Sequence, residues 1–116
     1  MAYDGPLTIE NSDGAAQGVR ILRLSGPVSL RNASVLQAQL ATAPEPRVLI
    51  LDFTQVPYVD STGLGTLINY FAHCQRAGNR MILAGVKSRV LELFKMMKVD
   101  TVIPMVATVE AAEANA

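Results

Sequence analysis

The chain is poor in the residues that metal centres, disulfide scaffolds and most hydrolases need. It has one cysteine, Cys74, and one histidine, His73. A single cysteine excludes an internal disulfide, and one histidine beside one cysteine cannot assemble a metal site. Net charge is absent too, because 10 basic side chains cancel 10 acidic ones. No large field is available to draw the chain onto nucleic acid or an anionic membrane. No apolar run approaches the roughly 18 residues of a membrane span. The opening MAYDGPLTIE lacks the basic start and apolar run of a signal peptide. These absences lead to the expectation of a cytoplasmic protein without metal, cofactor, membrane segment or direct nucleic-acid contact.

Catalytic constellations are missing as well. Ser61, His73 and either Asp52 or Asp60 can be written down as a triad. On a helix, however, His73 falls about 18 Å beyond Ser61 along the axis. No second histidine can serve as base. STGLG is not a phosphate cradle, since neither GxxxxGK[ST] nor GxGxxG is present. Cys74 lies at the edge of an apolar stripe and reads as packing.

What is present is the pattern of one compact domain. The chain has 116 residues, and 50% are hydrophobic, enough for one core. Leu7 to Glu10 fits a short strand, NSDGAAQG a turn and VRILRLSG a second strand, so a hairpin opens the chain. Asn32 or Ser34 can cap a helix over ASVLQAQLAT, and the APEPR loop ends it through Pro44 and Pro46. RVLILDF is a continuous apolar strand of the kind buried on both faces, ending at Asp52. Leu64, Leu67, Ile68, Phe71 and Ala72 then form one helical stripe, with Thr66, Asn69, Tyr70 and His73 on the other side. That helix stops near Gly78. RMILAG reads as a strand. Ser88 can cap a helix over RVLELFKMMK whose core stripe is Val90, Leu93, Phe94 and Met97, leaving Met96 outside. Lys87, Arg89, Lys95 and Lys98 form either a small local basic patch or the solvated edge of that helix, the second being the plainer reading. TVIPM fits a short edge strand, and ATVEAAEANA a weak final helix. The predicted class is α/β: a mixed, mostly parallel β-sheet with helices and a short N-terminal antiparallel hairpin.

The polar residues concentrate at one junction, VPYVDSTGLG, where a strand passes into a helix. One explanation is structural: Asp60 or Ser61 caps the helix. The other is that Ser61 accepts a phosphate. A helix start exposes the hydroxyl, its partial positive charge tolerates a phosphate, and Gly63 and Gly65 leave bare backbone beside it. The residues alone leave both open.

VPYVDSTGLG resembles the signature of the STAS family, specifically the bacterial anti-sigma factor antagonists, in which D-S-[ST]-G-L-G follows a strand such as LILDF. LRLSGPV, RMILAGV and SRVLELFKMMKVD resemble further family segments. The likeness covers about residues 7–112, so residues 1–116 are expected to form a single STAS domain. It implies a phosphoprotein of transcription regulation. A partner anti-sigma factor, a serine kinase that binds ATP itself, would phosphorylate Ser61. The unphosphorylated chain would bind that factor and release a sigma factor, and a phosphatase would restore it. Thr62 would stay unmodified. Implied partner-binding residues are Asp60, Ser61, Thr62, Gly63, Leu64 and Gly65, continued by the outward Thr66, Asn69 and Tyr70, with Met96 from the next helix. In Gly26-Pro27-Val28-Ser29, Ser29 stands where the family often has an acid. That departure suits an alternative, a STAS adaptor of a signalling scaffold or transport complex that need not be phosphorylated. The oligomeric state is not legible.

Overall fold

A computed structural model describes residues 5–42 and 44–116. The first four residues, part of the segment read for a signal peptide, and Ala43 of the APEPR loop lie outside it. The elements are β1 (Thr8–Asp13), β2 (Val19–Ser25), α1 (Ala33–Leu40), β3 (Val48–Gln55), α2 (Ser61–Ala77), β4 (Arg80–Ala84), α3 (Ser88–Met96), β5 (Met105–Val106) and α4 (Val109–Ala114). Short 3-10 turns at Leu30–Asn32 and Val99–Thr101 precede α1 and follow α3.

The sheet runs β1-β2-β3-β4-β5 in space. β1 and β2 are antiparallel, and every later pairing is parallel. This is the mixed sheet the sequence predicts. Side chains alternate between its faces. Leu22, Leu24, Leu49, Leu51, Phe53, Met81 and Leu83 pack with α1, α2 and α3. Val19, Ile21, Val48, Ile50, Ile82 and Ala84 pack with Val109 and Ala112 of α4. β3 is therefore buried on both faces, which is why its sequence does not alternate.

Several boundaries move from their sequence-based positions. β1 extends into the expected turn, reaching Asp13, because Ser12 and Asp13 still pair with Ile21 and Arg20. β3 continues past Asp52 to Gln55. The Asp52 carboxylate accepts from the Thr54 amide (3.0 Å) and hydroxyl (2.8 Å), and Gln55 pairs with Ser25. Asn32 precedes α1 without capping it: its side-chain amide donates to the Pro27 carbonyl at 2.9 Å, and Ser34 lies inside the helix. Ser88 is the first residue of α3 rather than its cap. TVIPM contributes only Met105 to β5, since the chain first makes a 3-10 turn and buries Ile103. The final helix is better anchored than its composition suggests. The Thr108 hydroxyl accepts from the Ala111 amide at 3.0 Å, and α4 buries Val109 and Ala112.

The C-terminal ends of the parallel strands point their loops to one edge. The β3–α2 junction lies there, beside the β2–α1 loop and the start of α3.

Candidate functional site

The β3–α2 junction is fixed by backbone pairing to the β2–α1 loop. Val28 and Val59 form an isolated parallel bridge. The Val28 amide donates to the Tyr58 carbonyl at 2.9 Å, and the Asp60 amide donates to the Val28 carbonyl at 3.1 Å. Asp60 then occupies the N-cap of α2. One carboxylate oxygen accepts from the Gly63 amide at 2.8 Å, and the other accepts from the Leu30 amide at 3.0 Å. Both oxygens are thus spent on structure. The cap reading is correct for Asp60, with a second bond that ties the neighbouring loop.

Ser61 is different. It is the first residue of α2, exposed, and its hydroxyl makes no hydrogen bond among the described residues. Thr62 is exposed beside it, and its carbonyl accepts from the Thr66 hydroxyl at 3.1 Å. Gly63 does not leave open backbone as expected. It is buried, and a Cβ there would run into the Val28 carbonyl. Gly65 does fit the expectation, because no atom lies within 4 Å of a Cβ built there. Leu64 is buried in the main core and anchors the turn.

The other candidate residues fall elsewhere. Thr66 is buried, not outward. Ile68, placed in the core stripe by spacing, is 40% exposed. The true buried face of α2 is Gly63, Leu64, Thr66, Leu67, Phe71 and Cys74. It is rotated from the expected stripe because α1 covers the side bearing Thr66 and Tyr70. Thr66, Asn69, Tyr70 and His73 line a second groove of about 400 Å³ with Gln37, Leu40 and Glu45. On its wall, His73 Nε2 lies 2.8 Å from Glu45 Oε1. Burial, then the nearby Cys74 and Glu45, push the Tyr70 phenol up to about 12. Burial also pushes the Cys74 thiol up, so the thiolate is disfavoured.

Ser61 stands on the rim of a separate groove of about 560 Å³ between α2 and α3. Pro57, Tyr58, Val59 and Leu64 line one side, and Arg89, Val90, Leu93 and Met97 the other. Met97 was expected in the core and is 59% exposed, because α3 ends at Met96 and the helical spacing no longer applies. Met96 is 78% exposed, as its position off the stripe implies, but it does not line this groove. Sequence reasoning missed Tyr58, Arg89 and Leu30. Leu30 is 70% exposed while its amide is held by Asp60. Tyr58 lies inside the quoted motif and could have been singled out there; the exposure of Leu30 has no local sequence signal. Ser29 is buried beside this junction.

The arrangement places the Ser61 hydroxyl, without a partner among the described residues, next to an apolar groove. Among the described residues no group of three His, Cys, Asp or Glu side chains could hold a metal. No described helix is long and apolar enough to cross a membrane.

Known proteins are similar to this chain in sequence and in fold. An anti-sigma-B factor antagonist of Listeria monocytogenes is 34% identical over 48% of this chain, an alignment that spans about half of that relative. A Bordetella bronchiseptica protein assigned as an anti-sigma factor antagonist, BtrV, is 28% identical over 93% of the chain and 91% of its own length. These names describe regulatory antagonists, not enzymes. A solved Thermotoga maritima protein, also assigned as an anti-sigma factor antagonist, superposes with a TM-score of 0.81 at 16% identity, covering 92% of each chain. A sulfate transporter family protein of Wolinella succinogenes superposes at 0.79 with 24% identity, covering 89% of this chain and 88% of its own. At those identities the solved structures establish the fold alone. The STAS domain family model matches residues 4–112, nearly the whole chain, and with the fold and the Asp60-Ser61 junction this makes the chain a member of the STAS domain family.

Proposed function

We infer that this chain is an anti-sigma factor antagonist of the bacterial cytoplasm, switched by phosphorylation of Ser61. The observation that carries the reading is the Ser61 hydroxyl, exposed and unbonded, directly after an aspartate whose two oxygens are already committed. Unphosphorylated, the chain binds an anti-sigma factor through Ser61, Thr62, Gly65 and the apolar groove beside them, freeing a sigma factor. The anti-sigma factor is itself the kinase. The γ-phosphoryl of its ATP passes to Ser61 Oγ, the hydroxyl proton leaves to a base on the kinase, and ADP departs. A phosphatase then hydrolyses the phosphoserine: water attacks phosphorus, the Ser61 Oγ–P bond breaks, Oγ regains a proton and inorganic phosphate leaves.

Charge accounts for the switch. A phosphate adds about −1.5 to −2 charges. Against a partner carboxylate some 6 Å away, repulsion is on the order of 1–3 kcal/mol at an effective dielectric of about 40–80. Each 1.4 kcal/mol is about tenfold in affinity. A ten- to hundredfold switch therefore needs no change of fold.

The test is a pulldown identified by mass spectrometry, then incubation of the chain with the captured kinase and ATP. One phosphate mapped to Ser61, and none in Ser61→Ala, is expected. Phosphate on Thr62 or elsewhere contradicts the reading. A second reading, an unphosphorylated STAS adaptor in a signalling scaffold or transport complex, is favoured by Ser29, which is buried where the family often carries an acid. Capture of scaffold or transporter subunits without a kinase would support it.

A further inference from the structure

The basic residues around α3 have no part in the reading above. Lys87, Arg89, Lys95 and Lys98 are all exposed. Of these, only Arg89 lines the groove that Ser61 lines. The titratable groups on that groove wall are Tyr58, Asp60 and Arg89. Each Asp60 oxygen accepts one backbone amide, from Gly63 and from Leu30. Arg89 has an interaction of its own in the unmodified protein. A guanidinium carries five N–H donors in a fixed fork, so one engagement leaves others available. Ser61, at the first position of α2, projects its side chain at the same groove mouth without any bond to hold it.

We propose that Arg89 is the counterion of phosphorylated Ser61, binding the phosphoryl oxygens across the groove between the starts of α2 and α3. The inference rests on Ser61 being the phosphorylated residue, and it adds a second means of inhibition. Arg–phosphate pairs are charge-assisted and often bidentate. Such a pair draws the phosphate over the apolar wall formed by Tyr58, Leu93 and Met97. The groove is then closed to a partner by occlusion, and the phosphate does not act by charge alone. Arg89 has a positioning role: it moves the phosphate and takes no part in the transfer.

The test uses the full chain with phosphoserine installed at position 61 during translation, so no kinase is needed. The readout is the second phosphate ionisation, near pH 6 in free phosphoserine, followed by phosphorus NMR. Asp60 pushes that value up and Arg89 pulls it down. The chain with Arg89 is expected to titrate about 0.5–1 pH unit below Arg89→Gln, with Arg89→Lys between them. Lys87→Gln should leave the midpoint unchanged. Coincident midpoints for Arg89 and Arg89→Gln overturn the proposal, as does an equal shift from Lys87→Gln, which would mean a diffuse basic field. Arg89 is exposed, and an unchanged amide NMR spectrum confirms the fold of each variant. A kinase that ignores Ser61 would undo the proposed function and leave this titration standing, so the two failures are separable.

Discussion

α2 borders two grooves of similar size, and they differ in what their polar groups are free to do. In the groove toward α1, His73 is held by Glu45, and Tyr70 is half-buried with its ionisation suppressed. Thr66, Tyr70 and His73 there are engaged by groups of the domain itself. In the groove toward α3, the walls are mostly apolar and the Ser61 hydroxyl at the rim has no partner among the described residues. The contrast teaches that polarity by itself does not mark a site. An unsatisfied group fixed beside an apolar surface is the better indicator, because it has something left to offer another molecule.

The largest expected effect comes from placing the same charge in both grooves. Phosphoserine installed in place of Ser61 should weaken binding to the captured partner about ten- to hundredfold in titration calorimetry, whereas phosphoserine in place of Asn69 should change it by less than about twofold. Equal losses from the two would erase the distinction between the grooves.

Next is the contact between α2 and the β2–α1 loop beside the Ser61 groove. Gly63→Ala should cost about 1–3 kcal/mol in urea unfolding, because its Cβ meets the Val28 carbonyl, a backbone atom that cannot step aside. Two residues on, Gly65→Ala should instead gain up to about 1 kcal/mol, since the space is open and alanine favours a helix. Matching signs would mean that the β2–α1 loop does not hold the junction as described.

A smaller loss, about 1–2 kcal/mol, is expected for Asp60→Ala, which removes the acceptor of two backbone amides. Asp60→Asn, which keeps one acceptor, should lose less.

The mildest test concerns Tyr70. Its phenol is raised from 10.0 to about 12 in the folded chain, so the folded state holds its proton more tightly than the unfolded state does. The stability linked to that proton is fully present below pH 10 and is lost as pH rises toward about 12. Tyr70→Phe should flatten the fall of melting temperature in that window and leave partner binding unchanged.

Much of this was legible in the sequence because it is local. The unbroken apolar run VLILDF predicts a strand buried on both sides, and β3 is one. Gly78 ends α2 in the left-handed conformation expected of a helix terminator. The Asp-Ser pair marks a cap followed by a first helical residue. Errors arose where a distant element decides the environment. Ile68 and Thr66 exchange their expected burial because α1 packs against α2 on the Thr66 side. Met97 leaves the core because the helix ends one residue earlier.

The sequence by itself determined the alternation of strands and helices, the apolar centre of the sheet and the identity of the residue after the cap, since each depends on spacing within one segment. The tertiary structure alone decided which glycine is packed and which is open, that Leu30 stands exposed with its amide on Asp60, and that Arg89 shares the Ser61 groove. Those facts depend on Val28 meeting Val59 and on α3 lying beside α2, contacts between segments far apart in the chain that no local pattern encodes.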